Sequence, residues 1–382
     1  MNDTPSVNDA RPLKQEQEPA SDEVTEVAPG VLRLQLPIQM PGLGHVNTYA
    51  LIDKQGAALV DPGMPGPANW KALCRQLQQC ELGVKDVHTV IITHSHPDHF
   101  GGASQLAKES GAQVVTHESF KTLWADDNHD HSDTSDADAG NEEVDFEALN
   151  AKGASGSAPQ RKPWDSSAWG GAEYRPPGMK GLMFRFARPL LKRRMQAPEA
   201  NRKLRNGDVI KLAGREWIAV HTPGHTLDHL CLWDPTEGVF LSGDHVLPTI
   251  TPHIAGIGEG ADTLALFVSS LDRVTEIEGI KHVLPAHGHP FVDLAGRAGE
   301  IRSHHDARME RLREVSSELG PASVQDLTQR IFRPERWGFM AESEIFAHMR
   351  HLELTGQADR IEGNGTPLFV ITAEQPKNIP SP

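Results

Sequence analysis

Residues 93–102 read THSHPDHFGG, so His94, His96, Asp98 and His99 fall within six positions that close on two glycines. His94 and His96 are two apart; in extended backbone they point to one side and can chelate one ion. Asp98 and His99 follow across a bend at Pro97 and can reach a neighbouring ion. Three more donors stand just past later apolar runs: His225 in HTPGHT, Asp244 in FLSGDHV and His287 in VLPAHGHP. Imidazole nitrogen and carboxylate oxygen suit zinc, and also iron or manganese. Seven donors are too many for one tetrahedral ion and fit two ions sharing a carboxylate. Two ions about 3.5–4 Å apart can hold a bridging hydroxide ionised near neutral pH. The expected reaction is therefore hydrolysis with no protein nucleophile, Asp98 orienting the hydroxide or carrying its proton. His221, His229 and His245 stand close enough to the motifs to support ligands, with core or surface positions as the equal alternative. His282, His289, His304 and His305 read as surface or supporting residues.

The donors need strands to deliver them. GVLRLQLPI, VNTYALID and AALVDPG are short apolar runs bounded by Gly, Pro and Asp, the pattern of a strand meander. Residues 67–82 carry Trp70, Leu73, Leu77 and Cys80 at helical spacing. VHTVIIT is a β-branched strand feeding the histidine loop, followed by a short helix to Gly111 and the strand AQVVTHE. More strands lead to His225, Asp244 and His287. This alternation specifies an α/β layered domain over 27–298. Residues 299–372 read helix, helix, helix and a two-strand ribbon, which resembles a winged-helix domain.

Two stretches break the pattern. Residues 126–170 are acidic and almost free of large apolar side chains, so they are expected as a disordered insertion, with His129 and His131 in it no metal trap. Residues 180–196 combine apolar and basic side chains and are expected to form a lid or an amphipathic helix packed on the core. Residues 1–26 and 373–382 are expected as tails. Net charge is −15 and hydrophobic content 38%, which disfavours nucleic acid and anionic lipid as partners without excluding RNA. No apolar run nears the roughly 20 residues that span a membrane, and no signal-like segment opens the chain. Cys74, Cys80 and Cys231 have no metal-site spacing, so a cytoplasmic setting is expected, with Cys74 and Cys80 as small buried apolar groups.

LVDPG with Asp61, THSHPDHFGG, HTPGHT, LSGDHV and PAHG together resemble the five motifs of the metallo-β-lactamase superfamily, in order, over about residues 27–298. The resemblance implies a four-layer αβ/βα sandwich, here with a small C-terminal winged-helix-like α+β domain. It implies two Zn²⁺ (or Fe or Mn), one on His94, His96 and His225 and the other on Asp98, His99 and His287. Asp244 bridges them, and Asp61 orients ligands without being one.

Antibiotic β-lactamases of this family usually lack the bridging aspartate, so Asp244 turns the expectation away from them. The C-terminal segment is similar to the lactamase-beta-like branch, which includes endoribonucleases and thioesterases that release polyketides from carrier proteins. A thioester or other carboxylic ester or lactone of a small molecule is the expected substrate. A phosphodiesterase acting on RNA is the alternative, and a glyoxalase II-type hydroxyacylglutathione hydrolase the second. Phe184, Phe186, Arg188 and Tyr174 are the candidate substrate contacts. Residues 299–372 carry nine Arg and Lys against twelve Asp and Glu, and a nucleic-acid-gripping winged helix should be basic. That balance favours a small molecule, with the C-terminal domain as a wall of the site or a homodimer contact.

Overall fold

The computed structural model describes residues 13–40, 42–122, 167–170, 198–256, 260–363 and 366–372. A seven-stranded sheet runs in sequence order through β1 (Thr25–Ala28), β2 (Val31–Met40), β3 (Leu43–Asp53), β4 (Gly56–Val60), β5 (Val87–Ile91), β6 (Gln113–His117) and β7 (Arg202–Leu204). Its first four strands are an antiparallel meander and the rest join in parallel. The second sheet has the order β12 (His282–Pro285), β11 (Val239–Gly243), β10 (Leu230–Asp234), β9 (Arg215–His221), β8 (Val209–Leu212).

Alternation along the strands builds the layers. In β4, Ala57 and Leu59 face one core while Ala58 and Val60 face another. The first core is closed by α1 (Pro67–Gln79) and α3 (Ala103–Ser110), with the single turn α2 (Pro97–Phe100) between them, through Leu73, Leu77 and Leu106. The second lies between the sheets, where Val60, Ile91 and Val115 meet Trp217, Leu230 and Leu241. In β10, Leu230 and Leu232 join that core, whereas Cys231 and Trp233 face a third. There Phe267 and Leu271 of α4 (Thr263–Thr275) and Ile301 of α5 (Leu294–Leu319) cover the second sheet. Strands buried on both faces read as continuous apolar runs, which is why VIIT and VFLS look so unbroken. Each fully buried Leu or Phe adds about 1.5–3 kcal/mol of transfer free energy. The outcome is the expected αβ/βα order.

A fourth core unites the end of α5 with α6 (Val324–Ile331), α7 (Phe339–Leu354) and a sheet of order β13 (Ala322–Ser323), β15 (Thr366–Ile371), β14 (Ala358–Gly363). The expected ribbon is present as β14 and β15, and β13 adds a third strand.

Four expectations need correction. Residues 13–26 are not tail: Glu16 is fully buried and β1 begins at Thr25, because the Glu16 carboxylate is held by backbone amides of a distant loop. The insertion does not run to 170 as disordered chain. Ala168 and Trp169 are buried in the fourth core, the Trp169 indole donating to Glu342 Oε2 at 2.9 Å. The boundary at 298/299 falls inside α5, whose first turns pack in the third core and whose last turns pack in the fourth. Cys74 and Cys80 are half-buried, not core; of the histidines read as surface or supporting residues, His305 is fully buried beside His348. Residues 180–196 with Phe184, Phe186 and Arg188, Tyr174, His129 and His131, and the 373–382 tail lie outside the described residues. Among the described residues no helix is long and apolar enough to cross a membrane.

Candidate metal centre

Topology brings five loops to one edge. β4 and β5 are parallel, so Asp61 and the 93–102 loop leave the first sheet on the same side. β9, β11 and β12 share one direction in the second sheet, so His225, Asp244 and His287 also leave together. Bonds across the sheets pin the edge: Asn47 N–H donates to the Ala286 carbonyl (2.7 Å), the Tyr49 hydroxyl to Pro285 O (2.7 Å) and Leu230 N–H to Thr93 O (2.8 Å). The turn presenting His225 requires glycine. Gly224 has φ +140°, and a Cβ there would come within 2.4 Å of Phe267 Cα in α4.

All seven donors converge, in two groups. His94, His96, His225 and Asp244 form one; Asp98, His99 and His287 form the other, and within each group the donor atoms lie within 4.8 Å of one another. His96 offers Nδ1, 3.0 Å from His94 Nε2 and 3.1 Å from His225 Nε2. Asp98 Oδ2 stands 3.5 Å from both His99 Nε2 and His287 Nε2. Asp244 lies between the groups. Its Oδ2 is 3.5 Å from His225 Nε2 and 3.5 Å from His99 Nε2, while its Oδ1 is 3.3 Å from His287 Nε2.

The far side of three of the rings is held. Asp61 accepts from Thr93 N–H (2.8 Å), the Thr93 hydroxyl (2.7 Å) and His99 Nδ1 (2.9 Å). It does so from φ +54°, a strained value for a residue with a side chain, kept because both carboxylate oxygens are engaged. His287 Nδ1 donates to the His45 carbonyl (2.7 Å) and His225 Nδ1 to the His253 carbonyl (2.6 Å). These bonds leave Nε2 of each ring free to face the centre, the tautomer a ligand needs. His229 Nε2 accepts the Asp244 backbone N–H at 3.0 Å while its Nδ1 meets the Thr222 hydroxyl at 2.7 Å. His229 thus fills the supporting position read from sequence. His221 stacks on His117 at 3.8 Å, and its Nε2 meets the Leu227 carbonyl at 2.9 Å.

Electrostatics separate the two groups. Burial, then His99 and His96, drives His94 well below the ordinary imidazole range, and burial with His225 brings His96 down to about 3. Burial alone would also lower His99, but Asp98, Asp244 and Asp61 outweigh it and raise that ring well above its usual value. Asp244 and Asp98 likewise raise His287 against its burial. Burial would raise both aspartates, but His287 and His99 hold Asp244 well down, and His99 and His287 do the same for Asp98. The carboxylates around His99 and His287 therefore make a strongly cation-favouring field. His99 Nε2, His287 Nε2 and Asp244 Oδ1 are buried with no hydrogen-bond partner. Buried polar atoms left this way, all imidazole nitrogen or carboxylate oxygen and all within the donor cluster, fit a divalent cation.

Several contributors were not read from sequence. His45 and His253 act through backbone carbonyls, which no side-chain pattern reveals. Asp228, buried three positions after His225, accepts from the Ser95 hydroxyl at 3.1 Å, and burial pushes its carboxyl up to about 6; its place in HTLDH was the available signal. The C-terminal helices also reach the edge. Gly256 N–H donates to Ser343 of α7, and the Glu344 carboxylate binds Arg308 (2.8 Å) with His253 at 3.8 Å. A cavity of about 460 Å³ opens beside the histidine loop, lined by Met64, Trp70, Leu73 and Gly101 among others.

A family model described as the metallo-beta-lactamase superfamily matches residues 41–273. The chain belongs to that superfamily. Two solved superfamily-like structures overlay most of it. A beta-lactamase domain protein from Burkholderia ambifaria is 27% identical, with TM-score 0.67 over 92% of this chain and 96% of that one. A metallo-beta-lactamase family protein from Thermus thermophilus is 25% identical, with TM-score 0.65 over 91% of this chain and all of that one. Among curated relatives, an atrochrysone carboxyl ACP thioesterase from Aspergillus chevalieri is 28% identical over 149 residues, 36% of this chain and 44% of that protein. A protein of the same name from Aspergillus terreus is 33% identical over 134 residues, 32% of this chain and 39% of that one. The chain thus spans less than half the length of these curated relatives. Superfamily membership and the His/Asp donor set together imply a divalent metal at this edge.

Proposed function

We propose that this superfamily member is a hydrolase that uses two divalent cations, zinc by donor type, to cleave a thioester or related carboxylic ester of a small molecule. The observation carrying the two-cation reading is Asp244, whose carboxylate meets both donor groups: Oδ2 is 3.5 Å from His225 Nε2 and from His99 Nε2, and Oδ1 is 3.3 Å from His287 Nε2. When bound, the cations supply Lewis acidity toward the substrate carbonyl oxygen and ionise water near neutral pH. The chain's part is positioning and proton handling. Asp61 and the carbonyls of His45 and His253 fix the rings, and Asp98 Oδ2 orients the attacking water or takes its proton.

The thioester assignment draws on the carrier-protein thioesterases among the relatives and on the apolar cleft beside the histidine loop. The end of α5, α6, α7 and the three-stranded sheet, which share the fourth core, support a winged-helix-like C-terminal unit, and α7 binds the loop after His253 through Ser343. A panel of acyl-CoA and acyl-carrier thioesters, lactones, hydroxyacylglutathione, phosphodiesters and single-stranded RNA tests the substrate class. Thioester turnover at least about ten times faster than that of the phosphodiesters is expected. RNA cleavage without ester cleavage would reverse the assignment.

A further inference from the structure

The segment whose composition reads as tail makes a set of contacts whose endpoint is a candidate ligand. Glu16 is fully buried, and its carboxylate accepts from Thr249 N–H (2.7 Å), Ile250 N–H (3.0 Å) and the Thr249 hydroxyl. Lys14 Nζ donates to the Thr249 carbonyl at 3.0 Å. These charge-assisted bonds fix the short turn Gln15–Gln17 against the loop after β11.

From that anchor the chain reaches the loop of His287. His45 Nδ1 donates to the Glu18 carbonyl (2.8 Å), and its Nε2 accepts from Gly288 N–H (3.2 Å). The His45 carbonyl in turn accepts from His287 Nδ1 (2.7 Å). One neutral tautomer satisfies both ring bonds, with the proton on Nδ1 of His45. Alongside, Gln15 Oε1 accepts from His289 N–H at 3.1 Å, and Glu18 Oε2 lies 2.9 Å from His289 Nε2. Every residue from 287 to 289 is therefore held by residues 15–18 directly or through His45. The close approach depends on a missing side chain, since a Cβ on Gly44 would come within 2.1 Å of the Glu18 carbonyl oxygen.

We infer that residues 14–18 are a positioning clamp for His287, anchored by Glu16 and transmitted through His45, which sets cation affinity at the Asp98–His99–His287 group. The inference rests on the two-cation reading above. Backbone carbonyls bonded to a ligand histidine typically govern about 10–100-fold of metal affinity. Here the carbonyl belongs to a residue that the clamp itself holds. None of the clamp's hydrogen bonds reaches His94, His96 or His225 directly, and Gly44 and Glu18 act on the His45–His287 side, so its loss falls first on the Asp98–His99–His287 group.

The test uses the full chain stripped of metal and titrated with Zn²⁺ against a chromophoric chelator, in the wild type, Glu16→Ala, Gly44→Ala and Glu16→Gln. Glu16→Ala and Gly44→Ala are expected to bind the first equivalent like wild type and the second about 10–100-fold more weakly, with unchanged circular dichroism. Glu16→Gln keeps an acceptor for the Thr249 and Ile250 amides and should recover most of the second affinity. If Glu16→Ala does not fold, Gly44→Ala carries the test alone. Variants that match a two-equivalent wild type, or that lose both equivalents equally, overturn the clamp. A wild type binding a single equivalent instead overturns the two-cation reading, and the clamp with it.

Discussion

Asp244→Ala is expected to lower turnover on any substrate of this enzyme by at least about 10³-fold, because several kcal/mol of Lewis-acid stabilisation depend on it and each 1.36 kcal/mol is about tenfold. The reason is geometric. Asp244 Oδ2 is 3.5 Å from His225 Nε2 and from His99 Nε2, and Oδ1 is 3.3 Å from His287 Nε2, so this one carboxylate reaches both groups. Its loss also removes one of the carboxylates that raise His99 and His287, so both rings should titrate at lower pH in the metal-free variant. The fold should persist, because Asp244 belongs to none of the four apolar cores. Elemental analysis of the variant is expected to show loss of at least one cation per chain. An Asp244→Ala protein with wild-type metal content and activity within about tenfold of wild type would mean that the carboxylate bridges nothing.

Asp98→Ala is expected to cost about 10²–10⁴-fold in kcat, the range of a positioned proton-handling group. Asp98 Oδ2 faces His99 and His287 equally, at 3.5 Å each, and none of the bonds that hold those rings from behind involve it. The second group therefore keeps its imidazoles in place with one fewer anionic donor. Binding of substrate should change less than turnover, so the loss should fall on kcat more than on KM. Stopped-flow or steady-state kinetics on the best thioester of the panel measures the split. Unimpaired kcat would remove Asp98 from the reaction and leave it a spectator.

Sequence and structure agree where residue type and position carry the chemistry. The seven donors were legible because each follows an apolar strand, and parallel strands deliver their ends to one edge. Asp61 was legible through the LVDPG motif. The supporting carbonyls of His45 and His253 were not, since any residue supplies a carbonyl and only the fold says which one meets a ring. The N-terminal clamp was missed for a related reason. Glu16 sits in a polar stretch that composition assigns to solvent, yet three donors from a loop more than two hundred positions away satisfy its charge. Trp169 was hidden inside an acidic insertion in the same way, one aromatic anchor in a segment judged by its average. The domain boundary was misjudged because α5 serves two cores without a break in its pattern.

Most of the chemistry above follows from the two donor groups holding one cation each. The metal-to-chain ratio of the purified protein, measured by elemental analysis after removal of loosely bound ions, tests this directly. About two divalent cations per chain are expected, the composition of a two-metal site. A ratio of one, unchanged on adding Zn²⁺, would rule the two-cation centre out.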